Sequence, residues 1–239
     1  MQERCATVPD TLIKEHVEAD ATPERVTLND QVYGDLRRMI MSGRLRPGQA
    51  ISIRSIASFI NVSPMPVRGA LQRLVTEGAL EVLPNRTFAV PILSPTDFRE
   101  IADVRLELEG MAAERAVTRL NKADISILAD INRQMFSTDD NDWDRYLDLN
   151  RQFHFHIYAA AEMPRLARLI ESLWLQIGPL LNLVASKEQM RHGRENHEAA
   201  VRAIATDDGA GARAAIETDI IEAAEPIVQG LIKGDYHAR

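Results

Sequence analysis

The chain has 239 residues, 45% of them hydrophobic and 5% aromatic, with 26% charged and a formal net charge of −7. That length suffices for one large core or two small ones, and the composition excludes collagen-like, mucin-like and wholly disordered chains. No apolar run reaches 18 residues, so no membrane span is expected, and MQERCATVPD lacks the basic-then-apolar layout of a secretory signal. The lone cysteine, Cys5, cannot close an internal disulfide, which favours a reducing, cytoplasmic compartment.

The charge is unevenly spread. Residues 1–27 carry three basic and six acidic side chains, residues 28–92 eight basic and four acidic, and residues 93–239 seventeen basic and twenty-five acidic. A net +4 segment inside an acidic chain marks where any nucleic acid would have to bind. Residues 1–27 read as a polar arm with a short helix around Leu12 to Ala19. From Leu28, Val32, Leu36, Met39 and Ile40 recur at three- and four-residue spacing. That predicts a helix capped by Asn29 or Asp30 and ended by Gly43. Pro47-Gly48 centres a turn. A short second helix follows over Ile53 to Ile60, with Ile56, Ala57 and Ile60 inward.

Asn61 tolerates a left-handed backbone, Ser63 is placed to cap, and Pro64 suits the first position of a third helix that ends at Gly78. Val67, Leu71 and Leu74 form its inward face. Leu80 to Leu83 and Thr87 to Ile92 then read as two strands joined at Pro84-Asn85-Arg86. Helix, helix–turn–helix, hairpin in about 65 residues is the element order of a winged helix-turn-helix.

After a linker at 93–96 the pattern is helical throughout. Six amphipathic helices are expected over 97–120, 121–135, 143–161, 164–187, 190–205 and 211–232, and residues 233–239 form a tail. In the first of these, Ile101, Val104, Leu108, Met111, Ala112 and Ala116 make the apolar stripe. Gly178-Pro179 should bend or split the fourth. The expected fold is therefore mostly α: an N-terminal winged helix-turn-helix (28–92) and a C-terminal all-α antiparallel helical bundle (97–232).

Polar residues that interrupt apolar stripes carry the chemistry. Asn150 and His154 are four apart on one helix; His197 and Asp219 lie on inward stripes of two others. Imidazoles and a carboxylate converging from three helices suit a divalent cation such as zinc, nickel or manganese, with Asn150 adding a carbonyl oxygen. His156 points away from His154, and His16, His192 and His237 lack supporting context. Arg105 and Glu109, also four apart, interrupt the first bundle helix. No nucleophile elbow, H-E-x-x-H or phosphate loop is present, which argues against an enzyme.

The stretch VYGDLRRMIMSGRLRPGQ…RSIASFINVSPMPVRGALQRLVTEGALEVLPNRTFAV resembles the DNA-binding domain of the GntR family of bacterial transcription regulators. The remainder, with RLELEGMAAERAV, NRQFHFHIYAAA and HEAAVRAIATDD, resembles the ligand-sensing (FCD) domain of its FadR subfamily. Six helices bring it closer to the VanR-like branch. The resemblance implies DNA contacts by Arg54, Arg68, Arg73 and Arg86, with Ser63 capping the recognition helix. Arg68 is the candidate for a bidentate guanine contact, and Arg54, Arg73 and Arg86 are candidates for phosphates. The chain has Pro64 where the family usually has Arg, Gly69 for Glu, and Thr87 for a wing Gly.

In the sensing domain, the family's Asp-His-His-His metal set matches Asn150, His154, His197 and Asp219, so two of the four differ. Arg105, with Glu109 and Tyr158, matches the effector pocket; alternatively, Arg105 and Glu109 form a plain structural ion pair. What the resemblance implies is a homodimer that binds a palindromic operator in double-stranded DNA and answers to a small carboxylate, with no membrane partner. A metal-dependent hydrolase and a non-catalytic helical interaction protein are the competing readings. The hydrolase leaves the winged region idle, and the interaction protein leaves the arginines unexplained.

Overall fold

A computed structural model describes residues 27–234, apart from 85, 140, 141 and 185. Cys5, His16, His237, the arm up to residue 26 and the tail from 235 lie outside the described residues. The first half is α1 (Leu28–Met41), β1 (Ala50–Ile51), α2 (Ile53–Phe59), α3 (Pro64–Thr76), β2 (Glu81–Val82) and β3 (Phe88–Ala89). The second is α4 (Pro95–Ala116), α5 (Lys122–Ser137), α6 (Trp143–Ala160), α7 (Pro164–Ile177), a 3₁₀ segment (Gly178–Val184), α8 (Lys187–Ala205) and α9 (Gly209–Lys233). Among the described residues, no helix is long and apolar enough to cross a membrane.

Local chemistry sets these bounds. Thr27, not Asn29 or Asp30, caps α1: its hydroxyl accepts from Asp30 N–H, while the Asp30 carboxylate accepts from Thr27 N–H. The Asn121–Asp124 and Ser94–Asp97 pairs make the same reciprocal caps on α5 and α4. Asn61 is left-handed at φ 53°, as its side chain permits, and sets the turn between α2 and α3. Pro179 splits the expected fourth bundle helix into α7 and the 3₁₀ segment.

β1 pairs antiparallel with β3, and β3 with β2, giving the order β1-β3-β2. At the wing the left-handed residue is Arg86 (φ 61°), and Thr87, which stands where the pattern usually has Gly, is not left-handed. Tyr33 fastens α1 to α3: its hydroxyl donates to the Glu77 carboxylate at 2.5 and 2.6 Å. Burial, then that hydrogen bond, raises the phenol to about 12.

One correction concerns α4. Its buried face is Phe98, Ala102, Arg105, Glu109, Ala112, Ala113 and Ala116, whereas Val104 and Met111 of the expected stripe are 43% and 37% exposed. Arg105 and Glu109 go inside because each neutralises the other. The alanines on the same face let α9 approach closely.

Candidate functional site: a buried two-histidine, one-carboxylate centre and an arginine-bearing winged face

Three helices build the centre, each with residues four apart. On α6, Tyr146, Asn150, His154 and Tyr158 form one inward ladder; α8 supplies Gln189, Gly193 and His197; α9 supplies Asp219 and Ala223. His154 Nε2 lies 3.1 Å from His197 Nε2 and 3.2 Å from Asp219 Oδ2, and His197 Nε2 is 3.8 Å from the same oxygen. Ligands held at about 2.0–2.2 Å from one ion stand roughly 3.0–3.5 Å apart, so two edges of this triangle have that spacing and the His197–Asp219 edge is longer. The three residues form a cluster that could chelate a divalent metal.

The surroundings tune these groups unequally. Tyr158 Oη donates to Glu109 Oε2 at 2.5 Å, so its lone pair must accept from His154 Nδ1–H at 2.9 Å. That fixes the tautomer and leaves His154 Nε2 as the electron-pair donor. His197 has no such partner: its Nδ1 is buried and unsatisfied, and its ring is held by stacking on Phe153 at 4.1 Å. Burial pushes the His197 imidazole down, which favours the neutral, ligating form. Burial pushes the Asp219 carboxyl up, but the two neighbouring imidazoles outweigh it and hold the acid well below the ordinary carboxylate range.

Arg105 and Glu109 are both buried and bidentate: Nε–Oε1 is 2.6 Å and Nη2–Oε2 is 3.3 Å. Burial lowers the Arg105 guanidinium's pKa, and the Glu109 charge more than restores it. Of the two readings of this pair, the structural ion pair is present, and Arg105 also lines the cavity. Its guanidinium carbon sits 5.2 Å from the centroid of the Trp174 ring. Burial, then Glu109, raises the Tyr158 phenol well above its ordinary value.

Arg105, Asn150, His154, Trp174, Gln189, Gly193 and Asp219 all border one cavity of about 50 Å³. Trp143 and Tyr146 border it too, and neither was among the sequence candidates. The four-residue ladder Tyr146-Asn150-His154-Tyr158 was the available signal for Tyr146. Gly193 has a steric reason: a Cβ there would collide with the Tyr146 hydroxyl. His156 lies outside the centre, 3.3 Å from Asp124.

On the winged half, Arg54, Arg68 and Arg86 are exposed on α2, α3 and the hairpin turn, with no ion-pair partner among the described residues. Arg73 is different. Its guanidinium lies 3.7 Å from the Tyr33 ring centroid and reaches Glu77 at 3.4 Å and Asp30 at 3.7 Å, bracing α3 against α1. Ser63 occupies the N-cap position of α3 but makes no side-chain cap hydrogen bond. The expected cap fails because Pro64 and Pro66 remove two of the first three N–H donors. Between them Met65 projects, 82% exposed.

Residues 28–90 match the gntR family of bacterial regulatory proteins, and residues 100–221 match the FCD domain. The HTH-type transcriptional regulator McbR of Escherichia coli K12 is 32% identical over 194 residues, which span 80% of this chain and 88% of McbR. A solved structure of E. coli McbR/YncC superposes with a TM-score of 0.78 at 30% identity, covering 88% of this chain and all of that one. The HTH-type transcriptional repressor RspR of E. coli K12 is 27% identical over 58% of this chain and 60% of its own length.

The arrangement is that of a winged helix-turn-helix joined to an all-α helical bundle, and with the matched families it defines a DNA-binding transcriptional regulator, not an enzyme. The chain belongs to the GntR family and carries an FCD domain.

Proposed function

We propose that the protein is a metal-loaded, acid-responsive repressor that binds a two-fold symmetric operator as a homodimer in the cytoplasm. It belongs, on this reading, to the VanR-like branch of the FadR subfamily, whose sensing domain has six α-helices. Residues 28–92 read DNA and residues 97–232 sense the effector. Arg68 contacts a guanine edge, Arg54 and Arg86 hold phosphates, and Ser63 joins them with a hydroxyl that makes no cap hydrogen bond. Arg73 also braces α3 against α1 through Tyr33 and Asp30, and its exposed guanidinium remains a further phosphate contact.

The observation that carries this reading is the path of α7. At one end its Trp174 lines the cavity beside His154 and Arg105. Along the same helix Glu171 pairs with Arg37 of α1 at 2.9 Å, and the backbone at Gly178 lies directly against Ile40 and Met41. One rigid element therefore touches both the sensor and the reading head. A ligand that favours one setting of α7 then biases DNA binding, which is allostery in the thermodynamic sense.

His154, His197 and Asp219 would hold zinc, nickel or manganese, with Asn150 beside them as a weak oxygen donor. The bound ion supplies the positive charge that an acid needs next to the Asp219 carboxylate. Arg105, Glu109 and Tyr158 line or support the effector's position. Dimerisation is favoured by Val104 and Met111 on α4 and Ile221 on α9, apolar side chains left 37–57% exposed where the two helices pack together.

The test is a gel shift on duplex DNA from upstream of the gene. Native protein forms a specific complex, and Arg68→Ala weakens it by about 1–3 kcal/mol while non-specific binding stays nearly unchanged. Equal loss on specific and random duplex would remove Arg68 from base recognition. No complex with any duplex at low salt would overturn the reading as a whole.

A further inference from the structure

Resting on that acid-effector reading, we infer that the effector is a monocarboxylate whose remaining length carries hydroxyl or ammonium groups, and that the site rejects a second carboxylate at the far end. The inner cavity of about 50 Å³ is a few times the roughly 10–15 Å³ that one water needs on the same measure. It has room for a small head group such as a carboxylate. The head finds donors there. Trp174 is 2% exposed, borders the cavity, and its indole Nε1–H has no acceptor. Trp143 borders it as well, and its Nε1–H is also buried without a partner. Two unsatisfied donors in one small cavity, with Arg105 beside them, call for an oxygen acceptor.

The rest of the molecule has a neighbouring space to enter, since Gln189 lines a second cavity as well. A larger cavity of about 510 Å³ lies between the 3₁₀ segment, α8 and α9, and its size falls within the range of small-molecule sites. Gln189 borders both cavities, and Glu222 and Pro226 on α9 follow Asp219 and Ala223 by about one turn. Among the described residues the outer lining is Leu183, Ser186, Glu188, Gln189, His192, Glu222 and Pro226: two carboxylates, three further polar groups, and neither lysine nor arginine, with the Arg191 guanidinium behind it against His192 Nε2 at 2.6 Å. Glu222 already accepts from Asn196 Nδ2 at 2.8 Å, which steadies one of the two charges. Such a wall accepts hydrogen bonds from hydroxyl or ammonium groups and repels an anion. Among the described residues no aromatic side chain lines it, which disfavours an aromatic tail.

Gluconate and glucarate make a matched pair, since they share a six-carbon polyhydroxy chain and differ in one terminal carboxylate. Binding to the full-length, metal-loaded protein is read by calorimetry and by quenching of tryptophan emission, with acetate as the head-only probe. Gluconate is expected to bind at least tenfold more tightly than glucarate. In the double variant Glu188→Gln, Glu222→Gln that preference should fall to within about threefold, with acetate binding unchanged. Equal binding of the pair by the native protein, no binding of either, or a preference that survives the double variant overturns the inference. If acetate and every other carboxylate leave both the emission and the operator complex unmoved, the acid-effector reading itself fails, which is a separate result.

Discussion

His154 and His197 are chemically the same residue in different circumstances. His154 is held through Tyr158 and Glu109 back to Arg105, a chain of charge-assisted hydrogen bonds inside the bundle. His197 relies on stacking with Phe153 and leaves one nitrogen unsatisfied. The metal affinity should therefore depend on the outer partner of His154. Tyr158→Phe keeps all three ligands but removes the oxygen that receives His154 Nδ1–H, and divalent-metal affinity is expected to fall about 10–100-fold. Competition with a chromophoric chelator measures this, and an unchanged affinity would make Tyr158 a packing residue only. The ladder of four-spaced residues made these positions legible in the sequence. The chain of partners behind them was not, because Glu109 lies 49 residues from Tyr158 and only packing brings them together.

At the scale of elements, α4 and the α7–3₁₀ joint depart most from their sequence patterns. A helix face is assigned inward when its residues are apolar, and on α4 that rule picks Val104 and Met111 over Arg105 and Glu109. The ion pair wins the interior because Glu109 also answers Tyr158, and because the alanines beside it let α9 come close. At the joint, the break at Gly178-Pro179 was visible in the sequence, but its purpose was not. Gly178 has ordinary helical angles, so Ala should stabilise the segment slightly by propensity. Instead, a Cβ there would collide with the Ile40 carbonyl oxygen and lie 2.7 Å from Met41 Cα, backbone atoms that cannot swing aside. Gly178→Ala is expected to loosen the contact with α1 and cost about 1–3 kcal/mol in stability. It should also weaken the effect of ligand on DNA binding while leaving metal content intact. Thermal melts and gel shifts with and without ligand read both, and a more stable protein with full coupling would remove the joint from the mechanism.

For the whole molecule, the net charge of −7 hides a division of labour. The basic segment coincides with the winged half, and of the arginines there that were assigned to DNA, three are exposed with no ion-pair partner among the described residues, while Arg73, also exposed, lies over Tyr33 and pairs with Glu77 and Asp30. A single reading head covers limited DNA, so tight binding to a symmetric site calls for two copies. Val104→Glu is predicted to yield a monomer in analytical ultracentrifugation. It should reduce operator affinity by at least tenfold while leaving the melting of each half nearly unchanged. A variant that stays dimeric would move the dimer contact off the α4–α9 face.

The sequence by itself determined what depends on neighbours a few residues away. The existence and order of the helices, the Asn121 cap, the break at Pro179, the winged order of elements, the charge partition and the placing of His154, His197 and Asp219 on inward stripes are all such features. Each follows from 3.6-residue periodicity or from the backbone preferences of glycine, proline and asparagine. Only the tertiary structure decided which faces meet. It placed the Arg105–Glu109 pair inside, committed Arg73 to Tyr33, and left Ser63 without a cap hydrogen bond. It also drew the Nε2 atoms of His154 and His197 to within 3.1 Å of each other and set α7 against both the helical bundle and the winged half. These outcomes turn on burial and on contacts between residues far apart in the chain, whose energies have no local periodicity to announce them.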